Sequence, residues 1–426
     1  MLLYNVLLPV VMLLSLPMWL KKTKRRGGYG TGVSERWALF WKPKSAVMQG
    51  SVYVHAVSVG EALIAKKLIQ RWLSESEGEC FTLAVSTPTA MQALSGWEDD
   101  RVQVVYNSAD LCWVVDAFLE RYEPSVVVLM ESELWPNLIS RACQRGVNVA
   151  VANARLSARS EKNFLKFQSL TEGLLSQVRW LGAQTPLDAE RWQRVGVPKR
   201  AVTVTGSVKF DADGVKVEDS LRESPEACFL KNLAQGRPIV AAVSTHAGEE
   251  ALIAEAARDA GCFSLVIPRH AERRADVVAD LSAKGIRYVL KTEVSELVAQ
   301  ADQRVGAVES FILDTTGEIM SWLPASDVAV IGKSFLAEGG QNPVEPILLR
   351  IPTIVGEDMS NFKELVTELV RAEGVIQTNP RQLSTQLRRV IGDPDYVEKL
   401  REKSWEVIQQ HHGATYRTIQ SLEHFA

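Results

Sequence analysis

The sequence predicts an α/β protein made of two doubly wound parallel-sheet domains. Three observations carry this expectation. Short Val-rich runs alternate with helical patterns along most of the chain. The alternation lapses once, near the middle, and restarts. The motifs that carry chemistry fall where the apolar runs end, which is where open α/β sheets bind ligands. A chain of 426 residues has room for two domains of roughly 200 residues each.

The first element is MLLYNVLLPVVMLLSLPMWL, residues 1–20, which holds no charge and is followed by KKTKRR. About twenty apolar residues suffice to cross roughly 30 Å of hydrocarbon as a helix. Charge after the apolar run, with no small-residue cleavage site, is the reverse of a secretory signal. The positive-inside rule keeps Lys21, Lys22, Lys24, Arg25 and Arg26, and with them the body of the protein, on the cytoplasmic side of the membrane. A single membrane anchor is expected here, and Pro9 and Pro17 leave an interfacial helix as the alternative.

The first domain is expected over 21–205. VYVHAVSV precedes GEALIAKKLIQRWL, FTLAVST precedes PTAMQALSGW, and VQVVY precedes DLCWVVDAFLERY. SVVVLM, VNVAVAN and WLGAQT then lead into further helical patterns. Such short Val-rich runs read as strands buried on both faces. Residues 206–235 lose apolar periodicity and read as an interdomain linker. The second domain, 236–400, resumes with PIVAAVST, FSLVIPR, IRYVLK, SFILD, DVAVIG and PTIVG. Residues 401–426 form a helical tail. Two such halves facing each other would leave a cleft at the C-terminal ends of their strands.

Composition narrows the function. With 46% hydrophobic and 23% charged residues the chain is globular, and a net charge of −3 implies no general attraction to nucleic acid. Cys80, Cys112, Cys143, Cys228 and Cys262 are scattered, odd in number and lack a C-x-x-C pair, which points to reduced thiols. His246 and His270 have no partner at ligand spacing, so no metal site and no cofactor are expected. Dinucleotide, nucleophile-elbow and P-loop motifs are absent, which removes most of the case for hydride transfer, serine hydrolysis and P-loop chemistry.

Several strand-end motifs each admit two readings. In SVGE, Ser58 and Glu61 have the spacing of a capping box, yet Glu61 also sits where a general base would. The expectation is that Glu61 turns into the site and leaves Ser58 to cap alone, at least with substrate bound. In ESELWPN, Glu131 and Glu133 would share one face of an extended segment and could hold substrate hydroxyls or separate each other's pKa values. Glu133 could equally start the next helix. In GGQNPVEP, Asn342 fits an N-cap, Pro343 the first helical position and Glu345 the third, at a helix start open to a phosphate. DTTGE has the same form, with Thr315 spaced for a box with Glu318. Arg269, after Pro268, suits a phosphodiester or is a solvated loop cation, and Lys209 in TGSVKFD could reach a leaving phosphate or form a surface salt bridge. Arg155 and Arg159 of NARLSARS could meet acceptor phosphates, or be solvated loop cations.

Taken in order, HAVSVGE, MESELWPNLI, NARLSARS, TGSVKFD, STHAGEE, PRHAER, DTTGE, GGQNPVEP and NFKEL resemble the 3-deoxy-D-manno-octulosonic acid (Kdo) transferases of lipopolysaccharide synthesis. The resemblance runs from the N-terminal segment almost to the end. It implies the two-domain GT-B fold and a metal-independent, inverting transfer of Kdo from CMP-Kdo to the lipid A precursor. It also implies roles by motif. Glu61 matches the general base, and Glu131 and Lys209 match residues that stabilise the transition state. Pro268, Arg269, Thr316, Gly317, Glu318, Asn342, Pro343, Val344 and Glu345 match CMP contacts.

Four positions depart from the family pattern. Gln341 stands where His is usual, Lys333 replaces the second Gly of a GGS-like run, Thr316 replaces the Met of DTMGE, and Arg350 occupies an often small position. These departures keep two competing readings open: a transferase or epimerase using another nucleotide sugar, and a catalytically silent anchored scaffold.

Overall fold

The computed structural model describes residues 4–10, 14, 32–39, 47–211, 219–294 and 308–425. The chain divides into two units, Met1–Asp213 with His411–Ala426, and Gly214–Gln410.

The first unit is built on seven parallel strands: β1 (Val52–Ala56), β2 (Phe81–Val85), β3 (Val102–Tyr106), β4 (Val126–Met130), β5 (Asn148–Ala154), β6 (Trp180–Ala183) and β7 (Val202–Val204). Their order is β3-β2-β1-β4-β5-β6-β7. The period-2 alternation of a strand explains the Val runs. Val126, Val128 and Met130 enter the core on one face of the sheet, while Val127 and Leu129 enter the core on the other. Burying each such side chain contributes about 1.5–3 kcal/mol, so a charge at Val128 would break the sheet centre.

Helix α1 (Val59–Glu75) follows β1 and lays Ala62, Ala65, Leu68, Ile69 and Trp72 on the sheet at helical spacing. It ends at Ser76, whose backbone is extended. The other helices used below are α2 (Pro136–Gln144), α3 (Ala158–Lys166) and α4 (Pro186–Arg194), each following the strand before it.

The second unit repeats the plan with β8 (Ile239–Thr245), β9 (Phe263–Pro268), β10 (Tyr288–Leu290), β11 (Ser310–Ile312), β12 (Val328–Ile331), β13 (Thr353–Val355) and β14 (Ile376–Gln377). All are parallel, in the order β10-β11-β9-β8-β12-β13-β14. Ile239, Ala241 and Val243 face one core and Val240 and Ala242 the other. The α/β class with two parallel-sheet units is therefore as the sequence predicts.

Of the segment 206–235, residues 206–211 pack within the first unit, residues 212–218 lie outside the described set, and Pro225–Ala234 forms a helix in the second unit's core. The tail also divides. Helix α5 (Pro394–Gln409) belongs to the second unit, whereas α6 (Ala414–Glu423) returns to the first, where Ile419 and Leu422 join the core that holds α1.

Residues 205–211 are held from three sides in that unit. Asn153 Oδ1 accepts from Val208 N–H at 3.0 Å, and Lys67 Nζ of α1 donates to the Val208 carbonyl at 2.9 Å. His411 Nδ1 accepts from Ser207 N–H at 3.1 Å, and the Asp211 carboxylate accepts from Gly413 and Thr415 N–H at 2.8 and 2.7 Å.

Residues 4–10 are helical, and most of the expected anchor at 1–20 lies outside the described residues. Among the described residues no helix is long and apolar enough to cross a membrane.

Candidate active site

In the first unit β1 and β4 are neighbours, with His55 opposite Leu129. The chain leaves β1 toward β2 on one side and β4 toward β5 on the other. Such a reversal of strand order opens a crevice at the C-terminal ends of the two strands. Glu61 enters this region from the first turn of α1, which follows β1, and Glu131 directly follows β4.

Glu61 occupies the third position of α1 and is 8% exposed. Its N–H donates to Ser58 Oγ at 3.2 Å, its Oε1 accepts from the Ser58 hydroxyl at 2.7 Å, and its Oε2 accepts from Val57 N–H at 2.8 Å. The expectation that Glu61 leaves Ser58 to cap alone is thus not what this structure holds. The reason is burial, because a carboxylate removed from water needs hydrogen-bond donors and the cap provides two.

Glu131 has a φ of 55°, in the left-handed region, and its N–H donates to the Ala152 carbonyl at 2.9 Å. The segment is therefore a turn, not the extended run that would place Glu131 and Glu133 on one face. The carboxylate that Glu133 feels is Glu61. Burial raises the Glu133 carboxyl above its ordinary value, a hydrogen bond from Trp135 opposes this, and the Glu61 charge raises it further. The Trp135 Nε1–Glu133 Oε2 distance is 3.2 Å. Behind Trp135, edge-on at 4.7 Å between ring centres, lies His55, whose pKa burial lowers to about 3.

The basic residues occupy three settings. Arg155 is half-buried in the loop after β5; the next residue, Leu156, donates its N–H to Asp188 Oδ1 of α4 at 2.9 Å. Arg159 is exposed in the first turn of α3, which Ser157 caps. Lys209 is exposed, its ammonium 5.3 Å from the centre of the Phe210 ring, in the loop held by Asn153 and Lys67.

In the second unit the reversal of strand order falls between β8 and β12. The two loops there are joined by one buried carboxylate. Glu249, fully buried, accepts from His246 N–H at 3.0 Å and from Lys333 N–H. It also accepts from Ser334, Phe335 and Leu336 N–H at 3.0, 3.0 and 3.3 Å. Gly332 permits this approach, since a Cβ there would lie 2.5 Å from Thr245 Cα.

Pro268 ends β9, and Arg269 N–H donates to the Thr245 carbonyl at 3.1 Å. Burial raises the Glu345 carboxyl, while a hydrogen bond from Asn342 and the Arg269 charge hold it down, which brings Arg269, Asn342 and Glu345 together. Asn342 Oδ1 accepts from Val344 N–H at 3.1 Å, but the helix is only Val344–Leu348, with Pro343 as its N-cap. Asn342 therefore braces the turn before the helix instead of capping it. Thr316 and Gly317 are exposed at the end of β11, the strand beside β9. The Thr315 hydroxyl donates to Glu318 Oε2 at 3.0 Å and Lys291 pairs with Glu318 at 2.7 Å, yet the helix begins only at Ile319, after Glu318. The GG and NFKEL motifs also meet: Asn361 N–H donates to the Gly339 carbonyl at 2.8 Å.

Residues 31–212 match the family described as 3-Deoxy-D-manno-octulosonic-acid transferase (kdotransferase). The 3-deoxy-D-manno-octulosonic acid transferase of Haemophilus influenzae is 30% identical over 93% of this chain and 91% of that protein. That of Bordetella pertussis is 32% identical over 95% and 94%. This chain belongs to the Kdo transferase family. It is a glycosyltransferase that transfers Kdo in lipopolysaccharide biosynthesis. The fold is also shared with UDP-GlcNAc 2-epimerase from Neisseria meningitidis, at a TM-score of 0.52 and 14% identity over 88% of this chain and 100% of that one.

Three of the departures from the family pattern have a structural account in this Kdo transferase. Lys333 and Arg350 have φ of 57° and 56°, a region that favours glycine and explains why small residues are usual at both. Arg350 is held there over the Trp405 ring at 4.1 Å. Gln341 Nε2 lies 3.0 Å from His246 Nε2, so it reaches the strand-end loop opposite and gives the imidazole a donor. Burial, and next the Lys333 charge, lower the His246 pKa. Nothing in the structure explains Thr316.

Sequence reasoning missed Glu249, Asn153 and Lys67. Glu249 stands in a quoted motif, but four of its five donors lie 84–87 residues away, beyond any local spacing.

Proposed function

We propose that this Kdo transferase moves Kdo from CMP-Kdo to a hydroxyl of the lipid A precursor lipid IVA, with inversion and without a metal. The observation that carries the reading is Glu61, a buried carboxylate at the strand-order reversal that already accepts one hydroxyl proton, from Ser58 at 2.7 Å. An acceptor hydroxyl that takes the place of Ser58 would stand at hydrogen-bond distance from a base.

In this mechanism Glu61 takes the hydroxyl proton as the acceptor oxygen attacks the anomeric carbon of Kdo. The new C–O bond forms on the face opposite the bond to phosphate, which breaks, and CMP departs with the electron pair. Lys209 and Glu131 stabilise the transition state, and Arg269 offsets charge on the departing phosphate. Asn342, Pro343, Val344 and Glu345, with Pro268, Thr316, Gly317 and Glu318, seat the nucleotide. Glu133, Arg155 and Arg159 contact the acceptor. The uncharged residues 1–20 and the KKTKRR run support a single anchor at the cytoplasmic face of the inner membrane.

The test is incubation of the full chain with CMP-Kdo and lipid IVA, followed by mass spectrometry and anomeric NMR of the product. A mass gain of whole Kdo units with inverted configuration is expected. No product from CMP-Kdo, or a retained configuration, would overturn the proposal.

A further inference from the structure

We propose that a groove between the N-terminal helix and the turn after β4 binds a hydrocarbon chain of the lipid acceptor; this rests on the acceptor assigned above. The groove has a volume of about 310 Å³ and is walled by Leu8 on one side and Ala109, Leu134, Trp135 and Pro136 on the other. Tyr4 and Asp110 complete the lining.

Those two residues fix the wall in place. The Tyr4 hydroxyl donates to Asp110 Oδ2 at 2.8 Å, and Asn137 Nδ2 donates to Asn5 Oδ1 at 2.7 Å. Asp110 also accepts from Asn137 and Leu138 N–H at 3.0 and 2.9 Å, so it caps α2 while holding the N-terminal helix. The polar contacts of that helix are thereby spent on the protein. Val6, Leu7, Val10 and Leu14 remain 59, 50, 50 and 78% exposed, so apolar side chains of the N-terminal segment other than Leu8 are left uncovered by the protein.

The position of the groove names its occupant. Trp135 lines it and donates to Glu133, whose proton affinity responds to Glu61. An acceptor with its hydroxyl at Glu61 therefore has its attached chains beside an apolar slot rather than in water. Each methylene buried there strengthens binding about fourfold.

The probe is 12-bromododecanoate, whose bromine quenches nearby tryptophan. The full chain should show saturable quenching that is largely lost in Trp135→Phe. It should also weaken in Leu8→Phe and Ala109→Leu, which fill the groove from opposite walls. In the transfer assay both filled variants should raise KM for the acylated acceptor at least tenfold. Their KM for CMP-Kdo and for a deacylated acceptor should stay unchanged. Quenching that is unsaturable, or equal in Trp135→Phe, would overturn the inference, as would filled variants that affect both acceptors alike. If wild-type protein makes no product, the transfer reading fails on its own and the quenching result still decides the groove.

Discussion

Ser58 and Glu61 hold one another reciprocally: the Ser58 oxygen accepts the Glu61 N–H, and the Ser58 hydroxyl donates to the Glu61 carboxylate. The two roles of Glu61 are therefore separable by mutation. Glu61→Gln keeps an oxygen acceptor and should change stability by less than about 1 kcal/mol, while transfer falls at least about 100-fold. Ser58→Ala should cost about 1 kcal/mol and retain most activity. Turnover and thermal denaturation measured on the same preparations check this. Equal loss of activity in both variants would return Glu61 to a structural role.

Glu133 makes stability depend on pH. Its folded pKa lies above the ordinary value because of burial and the Glu61 charge. The folded state thus binds the proton more tightly than the unfolded chain does. Its contribution is complete below the unfolded pKa and is lost as pH rises through the folded one. Glu133→Gln should accordingly be stabilising at pH 8 and nearly neutral at pH 4, as melting temperatures at both would show.

Removing Glu249 strands five backbone N–H groups. Glu249→Ala should cost more than about 3 kcal/mol and abolish CMP binding, because the loops after β8 and β12 lose their common fastener. Glu249→Gln, with one carbonyl oxygen left, should lie between. Denaturant titration with and without CMP reads both effects, and a wild-type midpoint for Glu249→Ala would refute the account.

Adjacent positions 332 and 333 should respond in opposite senses. Lys333→Gly relieves a left-handed backbone that costs roughly 1–2 kcal/mol, partly offset by a freer unfolded chain, so it should stabilise by up to about 1 kcal/mol. Gly332→Ala places a Cβ 2.7 Å from the Ser244 carbonyl oxygen and should destabilise strongly. A melting comparison of the two variants suffices.

His411 adds sensitivity to acid. Burial lowers its pKa to about 4, against an ordinary 6.5. As pH falls through this window the unfolded chain gains the proton first, so stability falls, by about 3 kcal/mol in all. His411→Gln, which retains an acceptor for Ser207 N–H, should flatten stability between pH 6.5 and 4.

The parallel sheets were legible because a strand buried on both faces leaves a Val-rich run, as in SVVVLM. So was the Ser58–Glu61 box, since a helix start imposes local spacing, whereas GGQNPVEP and DTTGE carry similar spacing without starting their helices there. Long-range partners were not. The coupling of Glu133 to Glu61 bridges strands β1 and β4, and nothing in ESELWPN announces that its first Glu turns left-handed. The path of α6 was equally hidden, because its apolar stripe says that it is covered without saying by what.

The return of α6 makes residues 214–410 an insert within a host, joined to it at two points instead of one. Exchange of the second unit between relatives must then respect both junctions. A hybrid spliced once, near residue 213, would pair a foreign last helix with the native seat on α1. One spliced at both junctions would transplant a self-contained cassette, and only such double crossovers should yield folded chimaeras.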